Sequence, residues 1–192
     1  MEVFLVSMGI VAIAEIGDKT QLLAFLLSAR FRKPLPIVLG IFLATTLNHG
    51  AAGALGTWIT SLVGPETLSW ALGVLFIAMA LWVLVPDDLD EAGAAPTRFG
   101  AFGATLVSFF LAEIGDKTEI ATIALAAQYQ ARVLVVLGTT LGMMLANVPA
   151  VVLGERITQK VPIRLIRGIA AAVFAGFGAA ALLGTGASQF GF

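Results

Sequence analysis

Seven residues, Ala-Glu-Ile-Gly-Asp-Lys-Thr, stand at positions 14–20 of this 192-residue chain and stand again at 112–118. Both copies lie inside long apolar stretches. Two acids and a lysine are expensive in such surroundings, and they persist mainly where they pair, bind ions or relay protons. The offset of 98 residues is about half the chain. The fold is therefore constrained to two related halves, each carrying one charged motif whose charges must find partners.

Composition makes the surroundings a lipid bilayer. The chain is 59% hydrophobic and 12% charged, with a mean hydropathy of +0.99. Soluble domains carry roughly 25% charged residues. No cysteine is present, which excludes disulfides, thiol catalysis and thiolate metal sites. A single histidine, His49, excludes a multi-histidine centre within one chain. No basic cluster of nucleic-acid type occurs away from the membrane flanks. The N-terminal stretch lacks the positive start of a signal peptide and reads as the first span.

A spanning helix needs about 20 mostly apolar residues. Six stretches qualify, near 3–29, 36–58, 67–86, 100–127, 133–154 and 165–185. The 98-residue register extends beyond the motif, since Gly40 matches Gly138, Gly56 matches Gly154 and Phe76 matches Phe174. Three spans per half is an odd number, so the second half enters the membrane in the opposite sense. The expected fold is an all-α membrane protein with six transmembrane helices in two inverted-topology three-helix repeats, 1–86 and 100–192. An acidic linker, 87–99, joins them. Such inverted repeats are a common plan for secondary transporters. The loops after spans one, three and five hold Arg30, Arg32, Lys33, Arg98, Arg156, Lys160, Arg164 and Arg167, against Arg132 alone on the other side. The positive-inside rule puts those loops in the cytoplasm and both termini outside. Trp58, Trp70 and Trp82 read as interface anchors or packing. The acids of the linker, Asp87, Asp88, Asp90 and Glu91, read as a solvated loop, with a cation sensor as the lesser reading.

On a continuous helix, residues three or four apart share a face. Glu15, Asp18 and Gln21 would form one stripe, and Glu113, Asp116 and Glu119 the other. Lys19 follows Glu15 by four, and Lys117 follows Glu113 by four, in the favourable order for pairing. Gly17 and Gly115 weaken each helix by about 1 kcal/mol relative to alanine. They invite an unwound turn that frees backbone carbonyls. Pooling both motifs sets five acids against two lysines, a formal charge of −3. Such a site wants a cation, protons, or both. Every candidate ligand is oxygen, which suits Mn²⁺, Ca²⁺ and Mg²⁺. Asn48 and Asn147 are placed to add amide oxygens or to bridge helices, and Thr20 and Thr118 to add hydroxyls. His49 reads as a buried or interfacial donor rather than a ligand.

Two E-x-G-D-K-[S/T] motifs, in the first spans of two three-helix repeats with an acidic loop between them, resemble the Gdt-type cation/proton antiporter family. The resemblance covers nearly the whole chain. It implies a bacterial inner-membrane protein, with Glu15, Asp18, Glu113 and Asp116 in the cation site. It further implies Mn²⁺ as transported substrate, Ca²⁺ as the alternative, protons as the coupling ion and no prosthetic group. Gln21 stands where the second half has Glu119. Three other readings compete: a carrier of basic amino acids, an intramembrane acid–base enzyme and a structural membrane subunit. No nucleophile or substrate domain supports the enzyme, and none is expected.

Overall fold

The computed structural model describes residues 1–85, 99–153 and 163–183. The acidic residues of the linker, together with Arg98, Gly154, Arg156 and Lys160, lie outside them. The described residues form eight helices: α1 (Glu2–Glu15), α2 (Lys19–Phe31), α3 (Pro34–Thr60), α4 (Pro65–Trp82), α5 (Gly100–Glu113), α6 (Lys117–Tyr129), α7 (Arg132–Leu153) and α8 (Ile163–Leu182). Four of them, α3, α4, α7 and α8, are long and apolar enough to cross a membrane.

The stretches 3–29 and 100–127 are not continuous helices: they unwind at the motif glycines, as the sequence allowed, and this overturns the reading of each motif as one continuous helical stripe. Each is split at its motif. α1 ends at Glu15, Ile16 is extended (φ −65°, ψ 118°), and Asp18 starts α2 from an extended conformation. α5 ends at Glu113, Ile114 has φ −60° and ψ 119°, and Asp116 starts α6 in the same way. Gly17 (φ 81°) and Gly115 (φ 75°) make the turns between. That region is strained for any residue with a Cβ, so the glycine in each motif permits the break. Both second segments also end alike, at left-handed Arg32 and Gln130, which are 98 residues apart.

Each segment of a broken helix is 13 or 14 residues. That is about 20 Å, short of a hydrocarbon core of about 30 Å. The two segments of a pair instead lie in succession along one unbroken helix from the other half. Gly138 of α7 meets the backbone of α1 at Phe4, and Gly142 meets it at Met8. Further along α7, the Ala146 carbonyl accepts from Gln21 of α2, and the Val151 carbonyl accepts from Ser28. The other half repeats this. Gly40 of α3 meets α5 at Phe102, Asn48 reaches the Phe110 carbonyl, and Gly56 meets α6 at Ile123. Small residues permit such approach, and close packing holds helices together where lipid removes the hydrophobic drive. α4 and α8 form a separate pair through Phe76, Phe174 and Phe177 and the close passage of Gly73 and Gly178.

Burial is arranged for lipid. Leu39, Leu43, Leu47, Leu137, Leu141 and Leu145 face outward, and Trp58, Trp70 and Trp82 lie on the surface towards helix ends. The interior holds two apolar clusters, with buried acids, amides and hydroxyls among them.

A Cβ at position 142 would come within 2.5 Å of the Met8 carbonyl, whereas one at position 9 meets nothing within 4 Å. Overpacking of this kind costs about 1–3 kcal/mol. Gly142→Ala should therefore lower the melting temperature of purified protein in detergent, and Gly9→Ala should not.

Candidate functional site

The two breaks meet in the interior. Lys117 Nζ donates to Asp18 Oδ1 at 2.9 Å, and Lys19 Nζ lies 2.8 Å from Asp116 Oδ1. Both pairs cross between motifs. The expected pairing of each lysine with the glutamate four residues before it does not form, because the helix ends at that glutamate and the turn redirects the lysine. For the same reason Glu15 and Asp18 are not stacked on one helical stripe. They sit on two sides of a bend, and Glu113 and Asp116 do likewise.

Glu15 and Glu113 are fully buried, and Asp18 and Asp116 are 3% exposed. All four lie within electrostatic reach of one another. Asn147 Nδ2 donates to Glu15 Oε1 at 3.1 Å, and Thr118 Oγ1 donates to Glu113 Oε2 at 2.9 Å. One oxygen of each carboxylate remains buried without a hydrogen-bond partner: Glu15 Oε2, Asp18 Oδ2, Glu113 Oε1 and Asp116 Oδ2. Such groups cost free energy in an apolar interior, so they mark a place for a ligand or proton. Among the described residues, no three His, Asp or Glu side chains are grouped to hold a metal ion in this arrangement.

The other candidates divide. Gln21 Oε1 accepts from the Gly17 amide at 3.0 Å, and Glu119 Oε2 accepts from the Gly115 amide at 2.6 Å. Gln21 and Glu119 thus perform one task, holding the amide that each break leaves open. Asn48 donates to the Phe110 carbonyl at 3.1 Å, bridging α3 to α5. Thr20 Oγ1 and both nitrogens of His49 are buried without partners.

Two contributors were not read from the sequence. Arg167 of α8 donates to the Gly17 carbonyl at 3.0 Å, and Ile163 packs over Gly17. Among the described residues the Gly115 break has no such cover, and Ile114 beside it is 56% exposed. Nothing in the spacing of Arg167 signals this contact, since it depends on how α8 lies against α1 and α2.

The family model described as "Divalent cation/proton antiporter GDT1" matches the chain twice, over residues 3–91 and 101–189. The chain belongs to the GDT1 family. The two matches are themselves 98 residues apart, the register of the motifs. A protein of Vibrio cholerae serotype O1 named "Putative manganese exporter" is 51% identical over 175 residues, covering 91% of this chain and 87% of its own length. A GDT1-like protein of Synechocystis is 30% identical over 197 residues, covering 90% of this chain and 94% of its own. GDT1-like protein 3 of Oryza sativa subsp. indica is 27% identical over 200 residues, covering 89% and 70%. No solved structure matches. GDT1 membership places the chain in a family of membrane transporters.

Removing one partner of a buried ion pair costs about 3–5 kcal/mol, because the other charge stays buried. Lys117→Met should lower thermal stability on that scale, and Lys117→Met combined with Asp18→Asn should recover much of the loss. A double-mutant cycle of unfolding measurements reads the coupling directly.

Proposed function

We propose that this chain exports Mn²⁺ in exchange for protons by alternating access. In this reading it has six spans in two inverted repeats, 1–86 and 100–192, joined by the cytoplasmic linker 87–99, in a bacterial inner membrane. The relative named for manganese export supports the cargo, and the family supports the coupling. The observation that carries the reading is the set of four carboxylates with one unpartnered buried oxygen each.

Four carboxylates against two ammonium groups leave a formal charge of −2 at the crossing. Glu119 drops out of the earlier sum because it is partly exposed and engaged by the Gly115 amide. One divalent cation or two protons balance that charge, and an unbalanced one is costly in a low-dielectric interior. Metal and protons therefore compete for the same oxygens. Carboxylates from both motifs would take the ion, with Asn147 and Asn48 adjusting beside them and the lysines giving up part of their hold on the aspartates. Protons arriving from outside would then displace the metal.

The charge bias of the loops gives the direction. With the loop before α8 in the cytoplasm, Ile163 and Arg167 cover the Gly17 break from the cytoplasmic side. In this reading the Gly115 break, uncovered among the described residues, opens to the exterior. This arrangement corresponds to the outward-facing state of the cycle.

A Ca²⁺/H⁺ exchanger of the same architecture is the second reading, favoured by the all-oxygen carboxylate set, which suits Ca²⁺ as well. Protein in liposomes should move Mn²⁺ against an imposed pH gradient, and Glu15→Gln and Asp116→Asn should each abolish that flux. Flux with Ca²⁺ but not Mn²⁺ would replace the first reading by the second. Mn²⁺ flux indifferent to the pH gradient would sink proton exchange.

A further inference from the structure

The 98-residue register pairs His49 with Asn147, and Asn48 with Ala146. Geometry follows the same register. Asn147 on α7 reaches the glutamate that ends α1. His49 occupies the matching place on α3, which runs beside α5 from Gly40 at Phe102 to Asn48 at Phe110. Glu113 ends α5 one turn beyond Phe110, and it is the match of Glu15.

The two halves nevertheless use different donors. Glu15 takes the amide of Asn147 from the opposite half, while Thr20, the hydroxyl of its own motif, is left without a partner. Glu113 takes Thr118, the hydroxyl of its own motif, while His49 from the opposite half is left without a partner. His49 and Thr20 are both fully buried. Glu113 Oε1 is buried and unpartnered as well. Three unmet groups thus stand at the positions that the other half would fill. Among the described residues the breaks are unequal in the same sense: the Gly17 break is covered, and the Gly115 break is not.

We propose that His49 is a positioning residue for Glu113. In the opposite-facing state Glu113 leaves Thr118 for the His49 imidazole, and Glu15 leaves Asn147 for the Thr20 hydroxyl. The two halves exchange roles. Each state satisfies one cross-repeat bond and one bond within a motif, so neither carries a large excess of unmet polar groups. This partner exchange rests on reading the two motifs as one exchange site. It explains why a buried histidine with no bond in this state is compatible with the fold.

The chain has no cysteine, so single introduced thiols report cleanly. Ile16 and Ile114 are the matching residues of the two breaks, the first partly buried and the second exposed. Ile16→Cys and Ile114→Cys would be placed separately in protein reconstituted in liposomes and reacted with a thiol reagent. Loss of one hydrogen bond from one state shifts its population about five- to tenfold. His49→Leu should therefore slow labelling at Ile16→Cys by that factor and leave Ile114→Cys at least as reactive. His49→Asn, which copies the donor at position 147, should restore the rate. Thr20→Val should slow Ile16→Cys in the same way, with Thr20→Ser restoring it, and this smaller change keeps the test open if His49→Leu does not fold. Unchanged labelling in both His49→Leu and Thr20→Val would overturn the exchange. Failure of His49→Asn to restore what His49→Leu removes would reduce His49 to packing. The labelling does not depend on the cargo, so the expected labelling shifts with neither Mn²⁺ nor Ca²⁺ flux would overturn the transport reading and leave the partner exchange standing.

Discussion

The crossed pairs Lys19–Asp116 and Lys117–Asp18 are the interaction on which the interior depends. An isolated ammonium or carboxylate in an apolar medium is prohibitively costly, and a pair is tolerated only with good geometry and supporting hydrogen bonds. Here each motif supplies the counter-charge for the other. Neither half can bury its own motif in this way alone. Charge compensation therefore binds the halves together at the point where the cation site is proposed. It also explains why the breaks are needed. A continuous helix would direct each lysine back along its own face, whereas the glycine turn sends it across.

The turns bring their own requirement. A break in a bilayer exposes backbone amides and carbonyls, and irregular backbone at that depth persists only where it is buried in protein or lines a cavity. The chain meets this with side chains close by. Gln21 and Glu119 take the amides of Gly17 and Gly115, and Arg167 takes the Gly17 carbonyl. α7 and α3 then serve as unbroken rails for the two broken helices, with glycines at 40, 56, 138 and 142 bringing the backbones close. Polar residues turned inward and leucines turned outward complete an interior that is more polar than its surroundings.

Much of this was legible in the sequence. The doubled motif, its 98-residue register and the apolar stretches around it pointed to paired charged sites in a membrane, and the motif glycines pointed to an unwound turn. What was misread followed from treating each motif as part of one helix. The Glu15–Lys19 and Glu113–Lys117 spacings are favourable only while the helix continues, and it stops at the glutamate. Gln21 and Glu119 extend the stripe of each motif in the sequence, and in the structure they hold the amides of Gly17 and Gly115. The repeat makes His49, not Asn48, the match of Asn147.

The sequence by itself determined that the chain is a membrane protein of two related halves, that charge sits inside it, and where each helix breaks. These properties are local: hydropathy, repetition and glycine's freedom at positive φ act within a few residues. Only the tertiary structure decided which lysine meets which aspartate, which of the two breaks is covered, and that Thr118 holds one glutamate while Asn147 holds the other. Those outcomes depend on how whole helices lie against one another. Ile163 and Arg167 pack on the Gly17 break because of how α8 lies against α1 and α2, which no local sequence pattern encodes.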